Sequence, residues 1–182
     1  MGYSTVVYAI DIDRLRNVFG SDDQELLQTV EKKYDKALRR SDETFQSRIR
    51  DGAPTRREAL RQIVAGTISG SDSAAFQYGY ALELLCKHLG RVLDNDDLIA
   101  FISDLEIPTS LIESGPPIPI PKSADFPSIG YLTAEQVREE YDHLKDQDLS
   151  HEDEEIEEAR EEFLSYLRRA RKNGLGIVSF AY

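Results

Sequence analysis

The chain has 182 residues, of which 40% are apolar and 31% charged, with one Cys and a net charge of −12. That length fits one domain with a single sizeable core, and one cysteine excludes both an internal disulfide and a cysteine-based zinc site. The charge repels nucleic acid and anionic membranes, and no window approaches about 18 consecutive apolar residues, so the expectation is a soluble cytoplasmic protein with neither as a partner.

Residues 3–10, Tyr-Ser-Thr-Val-Val-Tyr-Ala-Ile, are β-branched and aromatic and read as a strand. It stops at Asp11-Ile-Asp13, and Leu15, Val18 and Phe19 predict a short helix ending at Gly20. Ser21 with Gln24 has the form of a capping box. Leu26, Leu27, Val30, Tyr34, Ala37 and Leu38, then Phe45 and Ile49, recur at helical spacing as far as about Arg50. Helix length favours a break, placed near Ser41. Gly52 and Pro54 close the segment. Thr55 and Glu58 form a second capping box, and Leu60, Ile63 and Val64 give its helix one apolar face before Gly66. Residues 66–73 are small and polar, a loop.

Residues 73–90 follow, a helix apolar nearly all round, interrupted only by Gln77, Glu83, Lys87 and His88. Such a helix is one that other elements cover. Ser71, Asp72 or Ser73 is the expected N-cap and Gly90 the expected C′ glycine. Asp94 or Asn95 then caps a shorter helix with Leu98, Ile99, Ile102 and Leu105 inward, ended by Pro108.

Residues 106–130 hold six of the seven prolines. They favour extended, polyproline-like backbone and exclude a central strand. Ile118, Ile120, Phe126, Ile129 and Tyr131 stud the stretch, which predicts an ordered loop laid over the core. At its exit, Thr133 and Gln136 make a capping box with Leu132 and Val137 as a hydrophobic staple. The helix so started carries Val137, Tyr141 and Leu144. Residues 150–153 open the last helix, with Ile156, Ala159, Phe163, Leu167 and Ala170 on one face. Its acids come first and Arg168, Arg169, Arg171 and Lys172 last, matching the helix dipole. Asn173-Gly174-Leu175 predicts a Schellman stop, and residues 176–182 a closing strand. The predicted fold is one α+β (or α/β) domain over residues 1–182, mainly helical, with the first and last strands paired in a small sheet.

A strand ending in Asp11-Ile-Asp13 has the form with which aspartate-nucleophile phosphatases begin, one carboxylate attacking phosphorus and magnesium neutralising the phosphate. Arg14 and Leu15 depart from that motif, and no Gly-rich phosphate loop follows. The plainer reading has Asp11 or Asp13 capping a helix that begins at Arg14. His88, His143 and His151 are far apart and Cys86 sits among leucines, so neither metal nor cofactor is expected and the thiol reads as structural.

The charge is uneven. Residues 1–90 carry 13 acids and 13 bases, whereas residues 91–182 carry 21 acids and 9 bases. Residues 32–61 are locally +5, and residues 148–162 set nine carboxylates against one arginine. The acidic run reads as a solvated helix face or as a seat for a basic protein. The candidate binding residues are Glu154, Glu155, Glu158 and Glu161 of that run, with Phe126 and Tyr131 of the Pro-rich stretch. The leading expectation is a non-enzymatic acidic binding or inhibitor/immunity-type protein. A magnesium-dependent phosphoryl-handling enzyme using Asp11 and Asp13 is the alternative, and a small-ligand groove formed by Tyr78, Tyr80 and the Pro-rich stretch the third.

Two stretches carry a family resemblance. One is Tyr8-Ala-Ile-Asp-Ile-Asp-Arg-Leu-Arg16 with residues 19–27, and the other is Phe126-Pro-Ser-Ile-Gly-Tyr-Leu-Thr-Ala-Glu-Gln-Val137 with residues 170–180. In these the chain resembles a bacterial family of uncharacterised cytoplasmic domains, and its C-terminal third is distantly similar to YfbM-like proteins. The shared positions are caps and core residues. They imply a fold and a bacterial source, and they carry no catalytic residue across.

Overall fold

The first and last strands pair with each other at the centre of the sheet. The structure is a computed structural model that describes residues 5–68, 74–94, 111, 114–123 and 126–182. β1 (Thr5–Ile10) runs antiparallel to β4 (Gly176–Ala181) in unbroken register from Thr5 opposite Ala181 to Ile10 opposite Gly176. β2 (Arg91–Asp94) adds to β1 and β3 (Ser128–Leu132) adds to β4, both antiparallel, for a strand order β2-β1-β4-β3. The fold is α+β. Alternation along β1 sends Tyr8 and Ile10 into one core and Val7 and Ala9 into another, so the central strands are buried on both faces.

On the first face lie α1 (Ile12–Arg16), α2 (Gln24–Lys33), α3 (Asp35–Thr44), α4 (Gln46–Arg50), α5 (Arg56–Ala65) and α6 (Ala75–Leu89). The α6 helix is the expected covered one, with ten of its fifteen residues buried. The run from α2 to α4 breaks twice, at Tyr34 and Phe45, rather than once near Ser41. Both breaks fall on aromatics that turn in toward α6: Tyr34 meets the His88 ring edge-on at 6.3 Å, and Phe45 meets Phe76 at 4.9 Å. A straight helix would carry these rings past α6, so the ring contacts decide the breaks. The α2 cap is Asp23, whose carboxylate accepts from Leu26 N–H at 2.9 Å, and Ser21 supports the Asp23 N–H instead. The Thr55/Glu58 box forms as expected.

On the second face lie α7 (Ala134–Leu144) and α8 (Glu154–Lys172), both predicted. Thr133 and Gln136 cap α7 reciprocally, and Leu132 and Val137 share the second core. In α8 the five expected apolar residues are all buried. It ends in the Schellman pattern, with Gly174 at φ 64° and the Leu175 N–H donating to Ala170 O at 3.1 Å.

Four further expectations need correction. Gly90 is not a left-handed C′ residue, since its φ is −109° and its ψ −163°. It is glycine because β1 passes so close that an added Cβ would lie 2.7 Å from Ala9 O and 2.9 Å from Cys86 O. Residues 91–94 are a strand rather than the approach to a helix, and residues 128–132 are a strand inside what was expected to be irregular. That strand lies at the sheet edge, and the Pro-rich stretch shields it: the Gly115 N–H donates to Ile129 O at 3.0 Å and the Tyr131 N–H to Ser114 Oγ at 2.9 Å. Ile118, Ile120 and Ile129 are buried as expected, but Phe126 is 45% exposed. The predicted helix over residues 95–105, its stop at Pro108, the caps at Ser71, Asp72 and Ser73, and the strand's first residues lie outside the described residues.

Gly90→Ala is expected to cost about 1–3 kcal/mol, because the new methyl meets backbone on two sides and neither side can yield cheaply. Urea unfolding monitored by circular dichroism measures this; an unchanged midpoint would show that β1 and α6 can separate freely there.

Candidate functional site

The α6 helix presents Phe76 and Tyr80 one turn apart on the same face. The break before α4 delivers Phe45, α4 delivers Arg48, and the segment entering β3 delivers Phe126. These five residues line an open cavity of about 200 Å³. Phe45 lies 4.9 Å from Phe76 and 5.4 Å from Tyr80 between ring centroids, and Phe76 meets Tyr80 edge-on at 6.3 Å. Two guanidinium groups border the rings: Arg48 stands 5.6 Å from the Phe76 centroid and Arg56 4.4 Å from that of Tyr80. The close approach of the loop to α6 depends on Gly79, where a Cβ would lie 2.9 Å from the Pro127 ring.

Behind Tyr80 the cavity wall continues into a hydrogen-bonded cluster. Tyr182 stacks on Tyr80, with centroids 5.6 Å apart and planes 18° apart, and donates its hydroxyl to Glu83 Oε2 at 2.5 Å. Tyr8 on β1 donates to the other oxygen of the same carboxylate at 3.1 Å. Burial first, and then the charge of Glu83, push both phenols far above their ordinary range. Burial lowers Arg56, partly offset by Glu83, Tyr182, Tyr80 and Asp42. Its backbone N–H donates to Asp42 Oδ1 at 2.9 Å, while its buried Nε has no hydrogen-bond partner among the described residues. Cys86, one turn further along α6, is fully buried, and burial followed by the Glu83 charge raises its thiol well above the usual value. A thiol so placed stays protonated and unreactive.

The residues singled out from sequence fall in three places. Phe126 is on the cavity rim. Tyr131 and Asp13 meet at Arg16, whose guanidinium donates to the Tyr131 hydroxyl at 3.2 Å, to Asp13 Oδ1 at 3.3 Å and to Pro117 O at 3.4 Å. Asp11 caps α1, accepting from Arg14 N–H at 3.0 Å, so the helix begins at Ile12 rather than at Arg14. One oxygen of each Asp is thereby engaged in holding α1 and the Pro-rich stretch. Glu154, Glu155, Glu158 and Glu161 are exposed on α8, across the sheet from α6. The acidic helix and the cavity therefore occupy opposite faces of the molecule and do not form one site. Among the described residues no three His, Cys, Asp or Glu side chains group as a metal site, and no helix is long and apolar enough to cross a membrane.

Phe45, Arg48, Phe76 and the Tyr8–Glu83–Tyr182 cluster were not legible as site residues. The available clue was Phe45, the sole aromatic within the otherwise strongly polar stretch 35–50.

The folded state holds the Tyr8 and Tyr182 protons to higher pH than the unfolded chain, whose tyrosines titrate near 10. Stability from these groups is intact below about pH 10 and falls as pH rises beyond it, by up to about 1.4 kcal/mol per pH unit for each phenol. Urea unfolding between pH 8 and 11 is expected to show that decline, with a shallower slope in Tyr8→Phe and in Tyr182→Phe. Equal slopes in all three proteins would contradict the protonated cluster.

The cavity and the cluster draw on β1, α3, α4, α5, α6, the segment before β3 and the end of β4, and thus on the whole length of the fold. The family model described as a domain of unknown function (DUF7691) matches over the same extent, residues 1–182. No curated protein and no solved structure matches the chain. The chain belongs to the DUF7691 family.

Proposed function

We propose that this protein is a non-enzymatic binding domain whose ligand seat is the aromatic cavity between α4, α6 and the segment entering β3. The observation that carries the reading is the convergence of four rings, from three separate parts of the chain, around open space that the described residues leave unfilled. Packed interiors close such gaps, and concave, mainly apolar sites with a few placed polar groups are where small ligands bind. Phe126 supports the same reading, being large, apolar and 45% exposed beside Phe45, Arg48, Phe76 and Tyr80. The Asp11/Asp13 phosphoryl reading is less well supported, because both carboxylates are engaged in capping and in the Arg16 contact. A bacterial source and the likeness of the C-terminal third to YfbM-like proteins accompany the proposal as expectations from the resemblance.

The first test uses indole as a neutral probe in ligand-observed NMR. Nine non-hydrogen atoms at about half a kcal/mol each give a Kd near 1 mM. Phe126→Ala, at an exposed position that leaves the core intact, is expected to weaken indole several-fold. Indole bound equally by the variant would exclude this cavity as the seat.

A second reading assigns α8 to a basic protein partner of an acidic inhibitor or immunity-type protein. Its support is that Glu154, Glu155, Glu158 and Glu161 are exposed, and that none of them enters a salt bridge among the described residues. Replacing all four by Gln is expected to abolish salt-sensitive capture of a purified basic partner while leaving indole binding untouched. Capture that survives the four substitutions would eliminate the acidic helix as the contact.

A further inference from the structure

We infer that Arg14, Lys33 and His88 form a binding site for a phosphate dianion, either the free ion or the end group of a small monoester. The site lies about two turns beyond Tyr80 on α6 and is independent of the aromatic cavity. Three elements meet there. Arg14 comes from α1, Lys33 is the last residue of α2, and His88 stands in the last turn of α6. Tyr34, the C-cap of α2, joins two of them: the His88 ring meets it edge-on with centroids 6.3 Å apart, and Lys33 Nζ stands 5.2 Å from its centroid.

The imidazole is placed to donate outward. Its Nδ1 is buried without a hydrogen-bond partner among the described residues. A buried N–H that finds no acceptor costs more than a bare ring nitrogen, so the favoured tautomer carries its proton on Nε2, the ring nitrogen a ligand can reach. Burial, then the charge of Lys33, then that of Arg14 hold His88 below its ordinary value. Its chain neighbours Lys87 and Arg91 are cationic as well. Arg14 and Lys33 are exposed and enter no ion pair among the described residues. Of the acids nearest in sequence, Asp11 accepts from the Arg14 N–H, Asp13 pairs with Arg16, and Glu31 with Arg57 and Arg61. Two positive charges and one neutral donor match a dianion with several acceptor oxygens, the Arg fork and the Lys point charge both being phosphate binders. The net charge of −12 turns away polyanions such as nucleic acid and anionic membranes, so these side chains admit a single small phosphate.

The test follows the imidazole C–H resonances of the full chain by NMR through pH, with His143 and His151 as internal references. In chloride His88 is expected to titrate below 6.5. In inorganic phosphate of equal ionic strength it should titrate about one pH unit higher, as an opposite charge at contact distance brings, while the two references stay in place. Arg14→Gln and Lys33→Gln should each raise the chloride value and weaken phosphate about tenfold, the usual worth of a hydrogen bond to a charged group. Lys172→Gln, the same charge change at an exposed position on the other side of the sheet, should do neither, and unmoved reference resonances show that each variant folds. Methyl phosphate binding as well as inorganic phosphate assigns the site to monoesters, and binding of inorganic phosphate alone assigns it to the free ion. A His88 that titrates at or above 6.5 in chloride marks a carboxylate already in place and overturns the inference. A phosphate response no larger than that of acetate, or one that survives both substitutions, overturns it too.

Discussion

Everything in this fold hangs on the antiparallel pairing of β1 with β4. Six residues of each strand are paired in register, and the peptide groups that point away from this seam face β2 and β3, so the backbone can sit under side chains without cost in unsatisfied polar atoms. That permits burial on both faces, where Val7, Tyr8, Ile10, Ile177, Val178 and Phe180 each contribute about 1.5–3 kcal/mol. Neither half of the pair has another way to be covered. The helices α1 to α6 need Tyr8, Ile10, Val178 and Phe180 as their floor, and α7 with α8 needs Val7, Ala9 and Ile177 as its own.

Glu83 extends the same junction toward the aromatic cavity. A half-buried carboxylate is costly unless its oxygens are met, and here one is met from β1 and the other from the end of β4. Its charge thus ties the central helix to both central strands. Tyr182, held by this bond, forms the back of Tyr80. The shape of the cavity is in this way referred to the most deeply buried part of the protein, which gives a rigid wall to an otherwise open surface. On the opposite wall Phe126 is followed by Pro127, which seats over Gly79.

What the sequence disclosed was whatever local chemistry decides. The caps at Thr55 and Thr133, the stop at Gly174 and the apolar faces of α6 and α8 all follow from residues within a few places of one another. What it concealed was decided at a distance. Arg91-Val-Leu-Asp94 has too little alternation to announce a strand and becomes one because β1 has a free edge beside it. Ser128–Leu132 carries a glycine and follows a proline, and is a strand because β4 accepts it. The two helix breaks at Tyr34 and Phe45 answer to rings on α6. The candidate site was half visible: Phe126 and Tyr80 stood out as aromatics, but their convergence with Phe45 and Arg48 requires the packing of three segments separated by dozens of residues. The acidic helix was the loudest feature of the sequence, and the sheet sets it on the other side of the molecule.

The central place of β4 bears on how the protein is made. On a ribosome, α1 to α6 emerge early, yet the strand that floors their core comes after every one of them and after α8. Contacts between residues so far apart in the chain are slow to form, because a long loop must close before they are rewarded. Until residues 176–181 are released, β1 has an open side and the apolar surface of α6 lacks its cover, a state that invites aggregation. A premature stop even a few codons short of Gly176 would therefore leave both helical layers with only the β1 half of their floor.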